Sequence, residues 1–300
     1  MRRPLRLRLT EHTYPLEPSP EDSWLPIAFR AFARLAGRIA VRDLLIVGTG
    51  NGLDALGAIE IFDLRSLAVT DLVEESLSVS RENIVSNLED EAELELGFHA
   101  GNLLSCVPPR ARFDLVYENL PNLPATADVR LDRGTIGGRF FDATGLIVPE
   151  PFGTYLLALH YRCLQDAREH VRAGGGVLTA IGGRMPDDVA FALHRACGYR
   201  PVLVAFDVKR QVEPELVLAG YSRVEEQEGI EFRYYAAEAI DLVAGRRRSG
   251  LDGQQLADAV AADLDRLTIS AREAENRSRR GESVAHSVLM ILGLQLPNEH

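Results

Sequence analysis

The chain has 300 residues, 46% of them hydrophobic, and its 33 basic and 44 acidic side chains give a formal net charge of -11. A chain of this length and apolar content can bury a large core, in one large domain with an appendage or in two modest domains. The acidic balance argues against a general nucleic-acid-binding protein, because such a protein presents a basic face to phosphates.

The sequence contains no long apolar run of roughly 18 residues or more, so it predicts no membrane span. The amino terminus, Met1-Arg2-Arg3-Pro4, lacks the apolar core of a secretory signal. Both observations favour a cytoplasmic protein.

Residues 1–42 are predicted to form an N-terminal lead-in segment. Apolar side chains follow helical spacing there, at Phe29, Phe32, Leu35 and Ile39. The spacing predicts a helix over 27–39 that packs beside the first strand and helps to cover a ligand.

An apolar, strand-like run from Asp43 to Val47 leads into three glycines at alternate positions, Gly48, Gly50 and Gly52. A strand that turns sharply into a helix leaves backbone N–H groups free at the turn, and glycine lets a ligand approach them closely. This arrangement predicts a site for a nucleotide-like ligand at the carboxyl end of the strand. A dinucleotide fingerprint would need its third glycine at Leu53, which disfavours a dehydrogenase that uses NAD.

Three further strand-like segments follow in order, at Leu67–Asp71, Leu94–Asn102 and Phe113–Glu118. Helical patterns separate the strands, and this alternation is typical of a mainly parallel sheet with helices on both faces. We therefore predict an α/β protein with a Rossmann-like, mainly parallel seven-stranded sheet, whose ligand-binding core spans 43–235.

Later elements complete this prediction. A long helix is expected over 153–172, ended by Gly174-Gly175-Gly176, with strands over 177–181 and 199–208 on either side of a helix over 187–197. Residues 236–300 are predicted to form a C-terminal helical insertion and a final strand. The helical stripe comprises Leu256, Val260, Leu264 and Leu267. The segment 284–296 could be a helix or a strand, and we favour a strand that returns antiparallel to the sheet edge.

The G-x-G-x-G spacing, the acid that ends the second strand, and the order of the four strand-like segments resemble class I methyltransferases that use S-adenosylmethionine (SAM). The resemblance covers roughly 43–208. It implies that SAM is the cofactor, that Asp71 and Leu72 contact its ribose, and that Asn102 and Leu103 lie near its adenine. It also implies that the cofactor contacts the glycine-rich turn, which comprises Gly48, Thr49, Gly50, Asn51 and Gly52.

The segment after the fourth strand, Asn119-Leu120-Pro121-Asn122, resembles the N-P-P-Y motif of methyltransferases that modify planar nitrogens. This group includes the HemK-type release-factor glutamine methyltransferases and the adenine-N6 enzymes. The resemblance implies that the Asn119 side chain and the following carbonyl accept hydrogen bonds from the target N–H groups. Leu120 departs from the motif, and Asn122 replaces its aromatic residue. The loss of that aromatic face disfavours a nucleobase substrate.

Glu118 directly precedes this motif, and a carboxylate there would match a guanidinium, whose planar fork pairs bidentately with it. The position resembles the first acid of the paired-glutamate loop in protein arginine methyltransferases. Glu150 is a candidate second acid in substrate binding. The alternative for Glu118 is an ion pair with an arginine of this chain, and the alternative for Asn119 is a turn residue.

The sequence thus predicts a SAM-dependent N-methyltransferase acting on an amide, guanidino or amine nitrogen of an amino acid or small metabolite. Its predicted catalytic residues are Glu118, Asn119, Pro121 and Asn122. The alternatives are a protein glutamine methyltransferase and a non-catalytic scaffold with the same fold. A nucleic acid is an unlikely substrate on charge, no metal site is expected from the histidine spacing, and a homo-oligomer remains open. The loop from Pro124 to Pro151 is a candidate lid.

Overall fold

A computed structural model describes residues 4–10, 19, 22–88, 93–124 and 147–296 of the chain. Most of the predicted lid between Pro124 and Pro151 lies outside these described residues. Across them, no helix combines the length and the apolar content that crossing a membrane requires.

The described residues contain nine strands in one sheet. In chain order they are β1 (Asp43–Val47), β2 (Ser66–Asp71), β3 (Glu95–Ala100), β4 (Phe113–Glu118), β5 (Val171–Gly183), β6 (Tyr199–Arg210), β7 (Tyr234–Ala236), β8 (Thr268–Ile269) and β9 (Val284–Gln295). The described helices are α1 (Leu25–Ala36), α2 (Leu53–Ile61), α3 (Glu74–Asn87), α4 (Ala158–Ala167), α5 (Asp187–Ala196), α6 (Pro214–Glu228), α7 (Glu238–Arg248), α8 (Gln254–Leu267) and α9 (Ala271–Arg279).

The sheet runs in the order β3-β2-β1-β4-β5-β9, and β6 and β7 both pair with β9. Strands β1 to β5 are parallel, whereas β9 is antiparallel to β5 and β6. This topology confirms the predicted α/β class with a mainly parallel sheet. The predicted strand count of seven is wrong, because the two short strands β7 and β8 extend the same sheet.

The last strand is antiparallel, as predicted, but it does not lie at the sheet edge. Strand β9 lies between β5 and β6 and pairs with both along most of its length. Its first ten residues are all buried, including Ser287 and His286. A strand that is buried on both faces reads as a continuous apolar run rather than an alternating one, which is why the pattern alone could not separate helix from strand.

The predicted helix over 153–172 is shorter than expected at both ends. Leu156 adopts a φ of +62°, which a helix does not allow, and α4 begins only at Ala158. The three glycines lie inside β5 rather than at a helix end. A Cβ at Gly175 would lie 2.5 Å from the Asp114 backbone oxygen, and one at Gly176 would lie 2.7 Å from the Gly293 oxygen. Glycine is therefore required where neighbouring strands approach closely.

Two hydrophobic layers cover the sheet. Side chains of α1, α2 and α3 pack on one face, and those of α4, α5, α7 and α8 pack on the other. The predicted stripe of α8 lies in the second layer, with Leu256, Val260 and Leu264 buried. Helix α6, which the sequence analysis did not anticipate, packs against α9 in a third, smaller cluster. The division of the chain at 42 and 235 stays a prediction.

Helix α1 packs against α2, β6 and β9. Phe32 is fully buried, and its ring centroid lies 5.0 Å from that of Tyr117 and 5.5 Å from that of Phe62. The N-terminal helix therefore contributes directly to the layer that covers β1 and β4.

We expect Phe32→Ala to lower the free energy of unfolding by about 3–5 kcal/mol, because the truncation leaves a cavity in a closely packed layer. Chemical denaturation of both proteins measures the difference. Val85→Ala on α3 is the control, since Val85 is 52% exposed and its truncation should cost less than about 0.5 kcal/mol. A loss below about 1 kcal/mol for Phe32→Ala would mean that α1 is an appended cover rather than part of the core.

Candidate functional site

A cavity of about 330 Å³ opens at the carboxyl edge of the sheet. Its walls come mainly from the carboxyl ends of β1 to β6 and the residues that follow them, from the amino end of β9, from α6, and from Trp24, which directly precedes α1. This is where parallel α/β sheets bind ligands, because strand ends and helix starts meet there. The volume lies within the range of small-molecule sites.

The glycine-rich turn borders this cavity in the conformation that its sequence predicts. Gly48, Gly50 and Gly52 have φ angles of +74°, +53° and +82°. A Cβ at Gly52 would lie 2.8 Å from the Ser80 hydroxyl oxygen, whereas a Cβ at Gly50 would meet nothing within 4 Å. Gly52 is therefore needed for packing against α3, and Gly50 leaves its backbone open to the cavity.

Side chains of α3 hold the two other residues of the turn, Thr49 and Asn51, by hydrogen bonds. The Thr49 and Ser80 hydroxyl oxygens lie 2.8 Å apart, and the Asn83 side chain donates to the Asn51 backbone oxygen at 2.9 Å. Asn51 also accepts a hydrogen bond from the Leu53 N–H at 3.2 Å. These bonds fix the turn against α2 and α3, so that the cavity side of the loop is preformed.

Asp71, at the end of β2, closes the turn from the other side. One carboxylate oxygen accepts the Gly50 N–H and the other accepts the Val73 N–H, both at 2.9 Å. Burial raises the pKa of this carboxyl, and the backbone N–H groups of Val73, Gly50 and Leu72 oppose that shift. Each oxygen retains a lone pair that can accept a hydroxyl hydrogen of a ligand.

The predicted adenine-side residues line the same cavity. The Gly101 N–H donates to the Asp71 backbone oxygen at 2.9 Å, which brings the end of β3 beside the end of β2. Asn102, Leu103 and Leu72 then border the cavity. Leu103 has a φ of +50°.

The segment after β4 lines the cavity with Asn119, Pro121 and Asn122. Among the described residues, no hydrogen-bond partner contacts the Asn119 side chain, so its amide is available to a ligand. Asn122 is held instead: its Nδ2 donates to the Gly182 oxygen at 2.9 Å, and its backbone oxygen accepts from the Tyr221 hydroxyl. Of the four predicted catalytic residues, Asn119 thus has an unengaged side-chain amide within the described residues, and Asn122 has an anchored one.

Glu118 does not line the cavity, and the prediction that it binds a substrate guanidinium is wrong. Its side chain is fully buried, and the His160 Nδ1 lies 2.9 and 3.0 Å from its two oxygens. The Leu120 N–H donates to the same carboxylate at 3.2 Å. Both oxygens are therefore engaged within the protein. Glu118 holds the backbone that presents Asn119, and the partner that sequence reasoning assigned to an arginine is a histidine.

Glu150 is also not at the cavity. It is exposed and accepts a hydrogen bond from the Thr154 hydroxyl within its own turn. Its predicted role in substrate binding rested on its place in the loop after the motif, and the observed turn leaves it outside the site.

Sequence reasoning missed an acid that does line the cavity, Asp54 in the first turn of α2. The Trp24 Nε1 donates to both its oxygens, at 3.2 and 3.3 Å. Burial raises the pKa of the Asp54 carboxyl to about 6, although the hydrogen bond from Trp24 opposes the shift. An acid two residues after the last glycine, in the first turn of a largely apolar helix, was the available signal.

Sequence reasoning also missed the cavity wall that is formed at the ends of β5, β6 and β9. Arg184 follows the end of β5, Lys209 and Gln211 lie at the end of β6, and His286 lies at the amino end of β9. In an antiparallel strand the amino end shares an edge with the carboxyl ends of its neighbours. Extending the strand-end rule to β5, β6 and β9 would have identified these residues.

The residues at the turn fit a nucleoside-bearing cofactor. Gly50 leaves the space beside its Cα empty, Asp71 offers carboxylate lone pairs, and Asn119 lies in the same cavity. Within the described part of the chain, no cluster of three or more His, Cys, Asp or Glu side chains could hold a metal ion.

We expect Asp54→Asn to raise the free energy of unfolding at pH 8 by up to about 3 kcal/mol. Above pH 6 the folded protein holds a desolvated charge that the unfolded chain, with an ordinary pKa near 3.8, exposes to water. The cost falls as the pH drops through 6, so the gain should shrink to roughly half at pH 5. Denaturation at both pH values measures it, with the exposed Asp63→Asn as control. An equal gain at both pH values would contradict the assignment.

Comparison with known proteins places the chain near one group of enzymes. No family model matches the chain. A release factor glutamine methyltransferase from Deinococcus radiodurans is 33% identical over 194 residues, which cover 63% of this chain and 62% of that protein. A protein of the same name from Koribacter versatilis is 26% identical over 174 residues, which cover 58% of this chain and 57% of that protein.

Among solved structures, a methyltransferase from Pyrococcus furiosus is 20% identical, with a TM-score of 0.39 over 65% of this chain and 80% of that chain. At this TM-score the comparison adds nothing to the sheet order described above. The chain spans less than two thirds of the length of either sequence relative. The relatives confirm the predicted resemblance to HemK-type N-methyltransferases.

Proposed function

We propose that the chain is a SAM-dependent methyltransferase that transfers a methyl group to a planar nitrogen of an amino acid or small metabolite. The observation that carries this proposal is that one cavity is bordered by the uncovered Cα of Gly50, the Asp71 carboxylate and the side-chain amide of Asn119. The similarity to release factor glutamine methyltransferases supports an amide nitrogen as the acceptor atom.

The residues near β1, β2 and β3 would hold the cofactor. Asp71 would accept hydrogen bonds from the ribose hydroxyls, the turn from Gly48 to Gly52 would contact the amino-acid part, and Asn102 and Leu103 would border the adenine. When bound, SAM supplies a methyl group on a positively charged sulfur. Leu120 and Val288 line the cavity, and such apolar residues would help to keep bulk water from that group.

Asn119 would orient the acceptor. Its side-chain oxygen can accept an N–H of the target nitrogen, which aims the nitrogen lone pair into the cavity. Methyl transfer is an in-line displacement, in which the new N–C bond forms as the S–C bond breaks and the nitrogen gives up one N–H proton to water. Alignment of the nitrogen with the methyl group therefore lowers the barrier directly. The acceptor oxygen also stabilises the positive charge that grows on the nitrogen. The buried Glu118–His160 pair holds this loop through the Leu120 N–H.

Glutamine within a protein is the second candidate acceptor, and the similarity to two release factor glutamine methyltransferases favours it. The departures at Leu120 and Asn122 from the N-P-P-Y pattern leave this acceptor less well supported than a small molecule. Free glutamine and a glutamine-containing peptide therefore belong in the same assay.

We expect Asp71→Ala to weaken SAM binding by about 1–3 kcal/mol, because hydrogen bonds to a charged acceptor are lost. Calorimetric titration with SAM, and with NAD in parallel, measures the effect and the cofactor preference. Asp258→Ala, an exposed acid on α8, is the control and should leave affinity unchanged. Tighter binding of NAD than of SAM by the wild type would overturn the proposed function.

We expect Asn119→Ala to leave SAM affinity within about twofold and to lower the rate of methyl transfer by about 100-fold, since orientation is lost. Transfer of a labelled methyl group to free glutamine, free arginine and a glutamine-containing peptide gives the rate. Asn122→Ala is the comparison, because its anchored side chain should affect thermal stability more than orientation. Full activity of Asn119→Ala would remove its role, and SAM binding without any methyl transfer would support a scaffold instead.

A further inference from the structure

Arg184 is a buried cation on the wall of the cavity, opposite the glycine-rich turn. Only 6% of its surface is exposed. Its Nε and Nη2 donate to the Gln211 Oε1 at 3.2 and 2.9 Å, and its Nη1 donates to the Asn122 Oδ1 at 3.4 Å. All of these partners are uncharged.

No Asp or Glu oxygen among the described residues pairs with this guanidinium within 4.0 Å. Two less buried arginines give the contrast. Arg30 pairs with Asp207 and Asp252, and Arg172 pairs with Asp43 and Asp114. A guanidinium keeps its charge at every accessible pH, and burying a charge without a counter-ion is costly. The most buried of these three arginines is thus the one without an acid.

His286 does not supply the missing charge. Its Nε2 lies 2.9 Å from the Arg184 Nη2, and its Nδ1 lies 2.8 Å from the Ser287 oxygen. Burial and the neighbouring Arg184 and Lys209 lower the pKa of His286 well below its ordinary value. The ring is therefore neutral: it donates from Nδ1 to the backbone and accepts from Arg184 at Nε2.

The guanidinium is not saturated by these contacts. They use four of its five N–H groups, and the remaining one belongs to Nη1. A Cβ at Gly182 would lie 2.3 Å from this nitrogen, so glycine gives Nη1 its place beside the cavity. The Arg184 Cζ lies over the ring of Tyr221, 5.3 Å from the ring centroid. Because Arg184 lines the cavity, this remaining N–H is the one that a ligand could use.

The charge is coupled to the segment that would orient the acceptor. The Asn122 side chain bonds both Gly182 and Arg184, and Asn119 lies three residues earlier in the same wall. Asp71 and Gly50, by contrast, follow β2 and β1, on the other side of β4 from β5. An anion on Arg184 would therefore lie beside the acceptor nitrogen rather than beside the ribose.

We propose that Arg184 binds a carboxylate of the methyl acceptor, so that the acceptor is a small molecule, such as a free amino acid, that carries a carboxylate together with its nitrogen. This inference rests on the proposed function. A glutamine inside a folded protein has no such carboxylate next to its side chain. The same chemistry could come from the carboxylate of the cofactor's own amino-acid part, and the experiment separates the two sources.

The acceptor arm compares matched pairs that differ only in the carboxylate: glutamine with glutaminamide, and arginine with argininamide. We expect the wild type to prefer the acid form of its acceptor by about 10- to 100-fold in kcat/KM, the value of a charge-assisted hydrogen bond. Arg184→Gln should abolish that preference, and Arg184→Lys should restore part of it. Equal use of acid and amide by the wild type would overturn the inference without any variant.

The cofactor arm measures binding of S-adenosylhomocysteine to the same variants. We expect affinity within about twofold of the wild type for Arg184→Gln and for the control Arg162→Gln, an exposed arginine on α4. A selective loss in Arg184→Gln would assign the guanidinium to the cofactor and overturn the inference. If S-adenosylhomocysteine does not bind the wild type, the proposed function fails. If it binds, and an amide or the glutamine-containing peptide is methylated while no acid in the panel is, the inference alone fails.

Discussion

The hydrogen bond from the Gly50 N–H to the Asp71 carboxylate joins the ends of β1 and β2, and the rest of the site is arranged around it. It requires a left-handed backbone at Gly50 and an acid at the end of the neighbouring parallel strand. Both conditions follow from the strand–turn–helix pattern and from parallel pairing. A substitution at either position would change the shape of the turn as well as its chemistry.

The sequence predicted this half of the site well, for a physical reason. The Gly48–Gly52 turn and Asn119 directly follow strands, Asp71 ends one, and parallel strands bring their carboxyl ends to one edge. The order of β1 to β4 was therefore enough to place them together. The same argument predicted the apolar stripe of α8, which depends only on helical spacing and is buried as expected.

The half of the site that contains Arg184 and His286 could not be predicted from the order of the strands, because it depends on pairing between segments far apart in the sequence. The insertion of β9 between β5 and β6 brings His286 and Arg184 together, although they are 102 residues apart. The prediction for Glu118 was wrong because the sequence is the same whether an acid beside Asn119 faces the ligand or pairs with a buried histidine. Only the packing of α4, which carries His160, decides between the two.

The position of β9 also has a consequence for how the protein is made. Strands β5 and β6 do not pair with each other; each pairs with β9, which follows only after residues 184–283. A ribosome delivers β1 to β5 first, so that a parallel half-sheet can assemble while β6 still lacks its neighbour. Closure of the sheet, and with it the wall that carries Arg184 and His286, must wait for that late strand. The nucleoside-facing half can thus take shape during translation, whereas the opposite half is completed last.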